Sequence, residues 1–442
     1  MAAVFCLVAW TPYFLAYYPG LMSFDSLSQW GQIETRSFAD NHPPAATLLL
    51  WLLTRLWHSP ASVALFQMIA LSCAVAYGVA GLRRNGAPPA AQAAVVCFTA
   101  LFPLNGFYVM TLWKDIPFSI ATLIVTLFIL RTVSTRGSWL ISWRNRIALA
   151  AVAAAMALLR HNGALSFALT FLALLAAIPI RRYAVATAFL MAVGVLDITT
   201  LACATRLPVK ATGFREVSCD WALAHEVAAV VAAGGVIREQ ETTVLARAGS
   251  REAWKSAYTP YSLPARQFCG GSAAFRHVWW QVVTRNPTVV LRHHLGNSSL
   301  AWRAVQYCDA YTMVAAPTAI ATNQFGLVSR PLNAACRRVL DRVHEAMPQR
   351  RWSWLLGRPA LYLYLAVGAA VWTAWRRRGM APLVALVPSV GHILGYLVFT
   401  PAQDTRYFYY AFLACPMIVA WCIARGGEDR RTFGSPSDSN SS

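Results

Sequence analysis

The chain has 442 residues, 57% of them hydrophobic and only 13% charged, with a formal net charge of +20. So many apolar residues with so few charges exclude a soluble globular domain for most of the chain and place it in a bilayer. Lys114, Lys210 and Lys255 are the only lysines among 38 basic residues; charge of this kind belongs to membrane-flanking loops and contact with anionic lipid, and no nucleic-acid motif accompanies it.

The first apolar segment, 2–18, has no basic leader and no small-residue cleavage site, so it reads as a retained span ending in the interfacial Tyr17-Tyr18 pair. The polar stretch that follows, SFDSLSQW…NHPP, carries Asp25, Gln29 and His42. Segment 44–57 covers only about 21 Å at helical rise. It is expected to be an interfacial helix, capped by Asn41 with Pro43 and Pro44 in its first turn. Further spans are expected at 62–82, 90–104, 116–131, 147–159, 164–180, 184–204, 358–375, 381–399 and 407–424, about ten in all. The chain thus divides into an N-terminal transmembrane module 1–204 with a first outer loop 19–61, an extracytoplasmic region 205–357, C-terminal helices 358–425 and a disordered tail 426–442. Helix-like stretches at 221–233, 273–285 and 286–306, without strand alternation, make the long region mainly helical.

Charge parity sets the sidedness. With 44–57 not crossing and the N-terminus inside, the basic loops at Arg83-Arg84, 131–146, Arg181-Arg182, 376–378 and 425–431 all fall on the cytoplasmic face. Both termini are then cytoplasmic. The remaining connections lie outside, with 205–357 long enough to escape the charge rule. Arginine in place of lysine, with abundant alanine, agrees with a bacterial cytoplasmic membrane. Of ten cysteines, Cys219, Cys269, Cys308 and Cys336 lie in the long outer region, where disulfides can form but their pairing is unreadable.

That sidedness gathers the unusual polar residues at one face. TLWKDIPF puts Lys114 and Asp115 at the mouth of a span. RHNG puts Arg160, His161 and Asn162 in a very short outer turn, and QDTRY puts Gln403, Asp404 and Arg406 at the start of the last span. Each motif alone also fits a solvated helix end, a tight turn or an interfacial cap. Ionisable groups of both signs gathered at one membrane face instead mark a site, here one suited to a phosphorylated substrate.

Tyr18-Pro19-Gly20, Ser23-Phe24-Asp25-Ser26, Gln29, His42-Pro43-Pro44, Trp113-Lys114-Asp115, Arg160-His161-Asn162-Gly163 and Arg406-Tyr407, in that order, resemble the GT-C superfamily of integral-membrane glycosyltransferases. That group includes protein O-mannosyltransferases and lipid A aminoarabinose transferases. The resemblance covers the membrane part and is weak over 205–357 except in RNPTVVLRHHL. It implies an all-α polytopic bundle that moves a sugar from a polyprenyl-phosphate carrier to an envelope lipid, glycan or protein outside the membrane. It makes Asp25 the base for the acceptor hydroxyl and makes Lys114, Arg160 and Arg406 the partners of the leaving phosphate. His42 is then a group that orients Asp25 or donates to phosphate, Asp115 and Asp404 position the cations or bond the sugar, and Gln29, His161 and Asn162 complete the binding residues. Many such enzymes carry two neighbouring acids in the first outer loop. Here Asp25 stands alone, so dependence on magnesium or manganese stays open.

Two other readings are compatible with the sequence. An O-antigen ligase or polymerase would place its chemistry on Arg292, His293 and His294 in the outer region. A lipid-linked sugar flippase would use polar groups at membrane depth such as Asp197, and would show internal repeats that this chain lacks.

Overall fold

The computed structural model describes all residues except 207–208, 210–213, 262–263, 269–271, 306–315, 399–402 and 433–442. Among the described residues the regular structure is helical, and isolated β-bridges pair Leu21 with Thr111 and Met22 with Ile320. The helices run α1 (Ala2–Tyr17), α2 (Phe24–Thr35), α3 (Pro44–Leu56), α4 (Pro60–Arg84), α5 (Pro89–Leu101), α6 (Pro103–Met110), α7 (Asp115–Ser134), α8 (Trp143–Leu159), α9 (Gly163–Ala177) and α10 (Arg182–Arg206). The long polar region holds α11 (Phe214–Ala232), α12 (Glu239–Ala246), α13 (Arg251–Ser256), α14 (Ala273–Arg285), α15 (Pro287–Asn297), α16 (Ser299–Trp302), α17 (Ala334–Ala346) and α18 (Arg350–Leu356). The chain ends in α19 (Ala360–Arg376), α20 (Ala381–Val384), α21 (Val387–Val398) and α22 (Tyr409–Thr432).

Among the described residues four helical stretches are long and apolar enough to cross a membrane: Pro60–Arg84, Asp115–Ser134, Arg182–Cys203 and Thr405–Ala424. They become six if the bent pairs α5–α6 and α18–α19 each count as one span. Such helices mark a polytopic membrane protein. Each expected span overlaps a helix, but of the ten only these four to six have the length and apolarity to cross; α1, α8, α9 and the interrupted α20–α21 fall outside that set, as α3 does. α22 packs on α19 and α7, α7 on α8, α8 on α10, α9 on α21, and α1 on α4 and α17. One large apolar core runs through these elements.

Several expected boundaries are corrected. The segment 90–104 is broken at Phe102, and Pro103 starts α6 after a bend of 52°. Part of the expected outer connection 105–115 is therefore helical. Proline suits a first helical position because its missing N–H is not needed there. The segment 381–399 is interrupted between Val384 and Val387, and 286–306 divides into α15 and α16. The tail expected to be disordered from 426 is helical as far as Thr432. The N-cap of α3 is Pro43, not Asn41. The Asn41 side-chain oxygen instead accepts from Gln32 Nε2 at 2.9 Å and from the His42 amide at 3.1 Å.

The connection 19–61 also contains α2, a helix that the sequence does not lead one to expect. Its apolar positions Leu27, Trp30 and Ile33 recur at a spacing of three, and all are buried against α3, α4 and the Ile320–Leu327 loop. Ser26, Gln29 and Gln32 are buried with them while Phe24 is exposed, so the apolar helical period is faint in the sequence.

The long polar region builds its own core from α11, α13 and α14, around Val227, Val231, Trp254 and Phe275. Cys336 there is a free thiol, while Cys269 and Cys308 lie outside the described residues and the Cys219 side chain is not described. His225 and His293 are buried in this region, with ring centroids 5.2 Å apart. The Tyr258 hydroxyl is 3.3 Å from His293 Nδ1, and His294 pairs with Glu226 at 3.1 Å. Burial, reinforced by His225 and His294, pushes His293 down to about 3 from an ordinary 6.5. Burial likewise lowers His225. The unfolded chain therefore binds protons that the folded chain refuses. The stability of this region is expected to be full above pH 6.5 and to fall by up to roughly 1.4 kcal/mol per pH unit below it for His293 alone. Hydrogen exchange of α11 and α15 between pH 7 and 4 measures this. A His293→Phe protein that loses protection as steeply as the native one would refute it.

Candidate functional site

The extended run after α1 positions the site. Gly20 has φ +146°, and a Cβ there would sit 2.9 Å from Leu112 Cδ1, so only glycine suits both the turn and the contact. The turn lets the Leu21 amide donate to the Met110 carbonyl at 2.8 Å and the Leu112 amide donate to the Leu21 carbonyl at 2.9 Å. Ser23, at the N-cap of α2, is thereby set beside Trp113. Its hydroxyl does not cap the helix; it accepts from Trp113 Nε1 at 2.8 Å. Two turns of chain distant in sequence, SFDS and WKD, are thus locked together. Asp25 sits in the first turn of α2, where the helix dipole favours a carboxylate.

Asp25 meets Arg406. Arg406 Nη1 donates to Asp25 Oδ2 at 2.8 Å, and its Nε lies 2.9 Å from Asp404 Oδ2. Asp404 caps the turn Thr405–Phe408 by accepting from the Arg406 amide at 3.0 Å. The guanidinium lies over the rings of Trp113 at 4.7 Å and Tyr407 at 5.0 Å. An arginine held by two carboxylates and two aromatic rings is fixed in place, and a lysine could not reproduce the fork.

Lys114 and His42 form the next layer. Lys114 Nζ is 2.9 Å from His42 Nδ1. Burial, with Lys114 beside it, pushes His42 down to about 3, so the imidazole is neutral and accepts from the ammonium. His42 therefore bonds Lys114, and Asp25 is oriented by Arg406. Burial also pushes Lys114 down, to about 7, with Asp25 opposing and Arg160 and Arg406 adding to the shift. Burial works to raise Asp25, but Arg406, Lys114 and His42 outweigh it and hold the carboxyl below its usual range. Its side chain is 47% exposed, so Asp25 is an ionised carboxylate open to solvent. Burial raises buried Asp404, while Arg406 opposes the shift.

Asp115 and Arg160 form a buried pair one step deeper. Asp115 is the first residue of α7 and is 2% exposed. Arg160 ends α8 in an extended conformation, donates from Nη1 to Asp115 Oδ1, and donates from Nη2 to the Tyr396 hydroxyl at 2.6 Å. Its Cζ is 4.9 Å from the centre of the Tyr407 ring. Gly163 permits the tight α8–α9 turn through close approach: a Cβ there would lie 3.1 Å from Ala157 Cα.

Tyr396 and His392 were not singled out by sequence reasoning, yet both are buried beside Arg160 and Tyr407. A signal was available in Gly391-His392-Ile393-Leu394-Gly395. A Cβ on Gly391 would lie 2.7 Å from Ser166 Cα, and one on Gly395 would lie 3.3 Å from Asn162 Cβ. Two glycines four apart let α21 approach α9 closely, as small residues do between membrane helices. His392 and Tyr396, each following one of these glycines and four apart on one helix face, then turn toward Arg160.

The other expected site residues are placed as follows. Gln29 is buried and donates to Thr47 Oγ1 at 3.1 Å, stapling α2 to α3, and it lines a groove together with Lys114. His161 is exposed, close enough to His42 to disfavour its protonation. Asn162 Oδ1 is buried without a hydrogen-bond partner among the described residues. Gln403 is fully buried and ties the site to the outer region. Its Nε2 donates to Ser299 Oγ at 2.7 Å and to the Gly296 carbonyl at 2.8 Å, while its amide donates to the Tyr261 carbonyl at 3.0 Å.

Among the described residues no group of three or more His, Cys, Asp and Glu is placed to hold a metal ion. Asp25, Asp115 and Asp404 are each paired with an arginine, so the residues present do not fit a magnesium or manganese ion. An apolar groove between α3 and α4, lined by Leu49, Leu50, Leu53, Val63 and Phe66, leads to Lys114 and Trp113. Comparison with protein-family models, with curated proteins and with solved structures finds no match.

Proposed function

We propose that the protein is a GT-C-like membrane glycosyltransferase that moves a sugar from a polyprenyl-phosphate carrier to an envelope lipid, glycan or protein at the outer face of a bacterial cytoplasmic membrane. The observation that supports this most is the open, ionised Asp25 paired with Arg406 and set near Lys114, which itself lines an apolar groove. An apolar chain fits the groove, a phosphate fits the cations at its end, and a hydroxyl fits the carboxylate.

In the proposed step, Asp25 takes the proton of the acceptor hydroxyl as that oxygen attacks the anomeric carbon. The bond from that carbon to the phosphate oxygen breaks on the opposite face, and the electron pair leaves with the phosphate. Lys114 and Arg406 stabilise the charge gained by the phosphate. Arg160, buried against Asp115 and Tyr396, holds Tyr407 and the floor of the site. Transfer inverts the anomeric centre.

The direct test uses purified protein in lipid nanodiscs supplied with a polyprenyl-phosphate sugar and envelope extract. Release of polyprenyl phosphate together with one newly glycosylated acceptor supports the proposal. Movement of the glycolipid across a bilayer without release would favour a flippase. Loss of activity in His294→Ala but not in Asp25→Ala would favour a ligase-type enzyme.

Lys114 sets a pH dependence for this reaction. It is cationic below about pH 7 and neutral above. The kcat/KM for the lipid-phosphate donor is therefore expected to fall as pH rises through 7, since that ratio reports the free enzyme. Lys114→Arg, which stays charged, should remove this descending limb. An unchanged profile in Lys114→Arg would take the phosphate-binding role away from Lys114.

A further inference from the structure

A second cavity lies at the opposite end of the bundle, between α4, α7 and α22. Asp115 and Arg131 are separated by sixteen positions of α7, so the cavity is about 24 Å from the outer site. It encloses about 320 Å³, part of it open to the surroundings. Its apolar walls include Leu127, Leu130, Met417 and Trp421, and its mouth carries Arg84 and Arg131. The wall is firm: Trp421 Nε1 donates to Ser134 Oγ at 2.9 Å. At its inner end a Cβ on Gly78 would lie 2.9 Å from Met417 Cε, whereas a Cβ on Gly81 would meet nothing within 4 Å. Gly81 is therefore where the groove opens.

Tyr77, Gly81 and Arg84 share one face of α4 by their spacing. The Arg84 guanidinium lies 5.9 Å from the centre of the Tyr77 ring. No carboxylate pairs with Arg84 or Arg131 among the described side chains. Two arginines with no carboxylate partner among the described side chains, over an apolar groove that opens at Gly81, present a complementary surface for one kind of molecule, an anion carrying a hydrocarbon chain. Basic pockets between helices at this membrane face are suited to lipid phosphate.

We infer that this cavity binds an anionic phospholipid of the leaflet facing the basic loops, with its phosphate on Arg84 and Arg131 and an acyl chain along Gly81. The site stands whether or not the outer site transfers a sugar. Native mass spectrometry of the delipidated full-length protein tests it, with phosphatidylglycerol, phosphatidylcholine of the same chains and inorganic phosphate as probes. Phosphatidylglycerol should bind about tenfold or more tighter than phosphatidylcholine, and the Arg84→Gln/Arg131→Gln protein should lose that preference. Gly81→Leu keeps both arginines and has room for its side chain, so it should fold and yet weaken binding by blocking the groove. Unchanged binding in the double variant would overturn the site. Unchanged binding in Gly81→Leu would overturn the acyl groove, and equal retention of inorganic phosphate would overturn the lipid as ligand.

Discussion

Replacing Asp25 by Asn is expected to lower glycosyl transfer by about a thousandfold while leaving the folded protein intact, because a positioned general base contributes roughly 10²–10⁴. The two halves of that expectation have separate causes. The carboxylate is half-exposed, and Arg406 keeps its pair with Asp404 when Asp25 is neutralised, so no charge is left buried without a partner. The melting temperature should stay close to that of the native protein. Asparagine occupies the same space and still meets Arg406, but cannot take a proton. Asp25→Glu keeps the chemistry and displaces it by one methylene, so it should recover part of the rate. Transfer assayed beside thermal unfolding in the same detergent separates these outcomes. Native-like transfer by Asp25→Asn would remove Asp25 from the reaction and leave the fold untouched.

The position of this site was legible because charge at membrane depth is costly, so its few instances carry information. Asp25, Lys114, Arg160 and Arg406 lie up to 381 residues apart in sequence, yet a parity count over the arginine loops puts their segments on one face. Their pairing was not legible. Nothing in the spacing says that Arg406 holds Asp25 while Arg160 goes to Asp115, because both arginines lie at one end of the bundle within reach of several acids. His392 and Tyr396 were hidden for another reason. They lie within an apolar segment, where polar aromatic residues count as lipid-compatible, and only the close approach of Gly391 to Ser166 turns them inward. Helix α2 was missed because its buried face mixes Ser26, Gln29 and Gln32 with Leu27, Trp30 and Ile33 while Phe24 is exposed, so no apolar stripe shows in the sequence. The break at Phe102 was missed because an apolar run looks the same whether its helix is straight or bent.

The buried pair Asp115–Arg160 provides the second large effect, and it separates holding the fold from handling the substrate. Arg160→Met leaves Asp115, 2% exposed, without its counter-charge and should cost about 3–5 kcal/mol of stability. Asp115→Asn is expected to cost less, since Arg160 still donates to the Tyr396 hydroxyl and still faces the Tyr407, Tyr396 and Phe118 rings. The double variant Asp115→Asn/Arg160→Met removes both charges and should regain most of the loss, a coupling of about 2 kcal/mol or more. Additive losses would mean that the two residues are not a working pair. Activity divides the remaining roles. If Arg160 acts only through the floor of the site, the double variant should recover transfer along with stability. If its guanidinium reaches the phosphate when donor binds, the double variant should be stable and still slow, with the defect in kcat rather than in folded yield. Unfolding in detergent and transfer kinetics on the same four proteins decide between these roles.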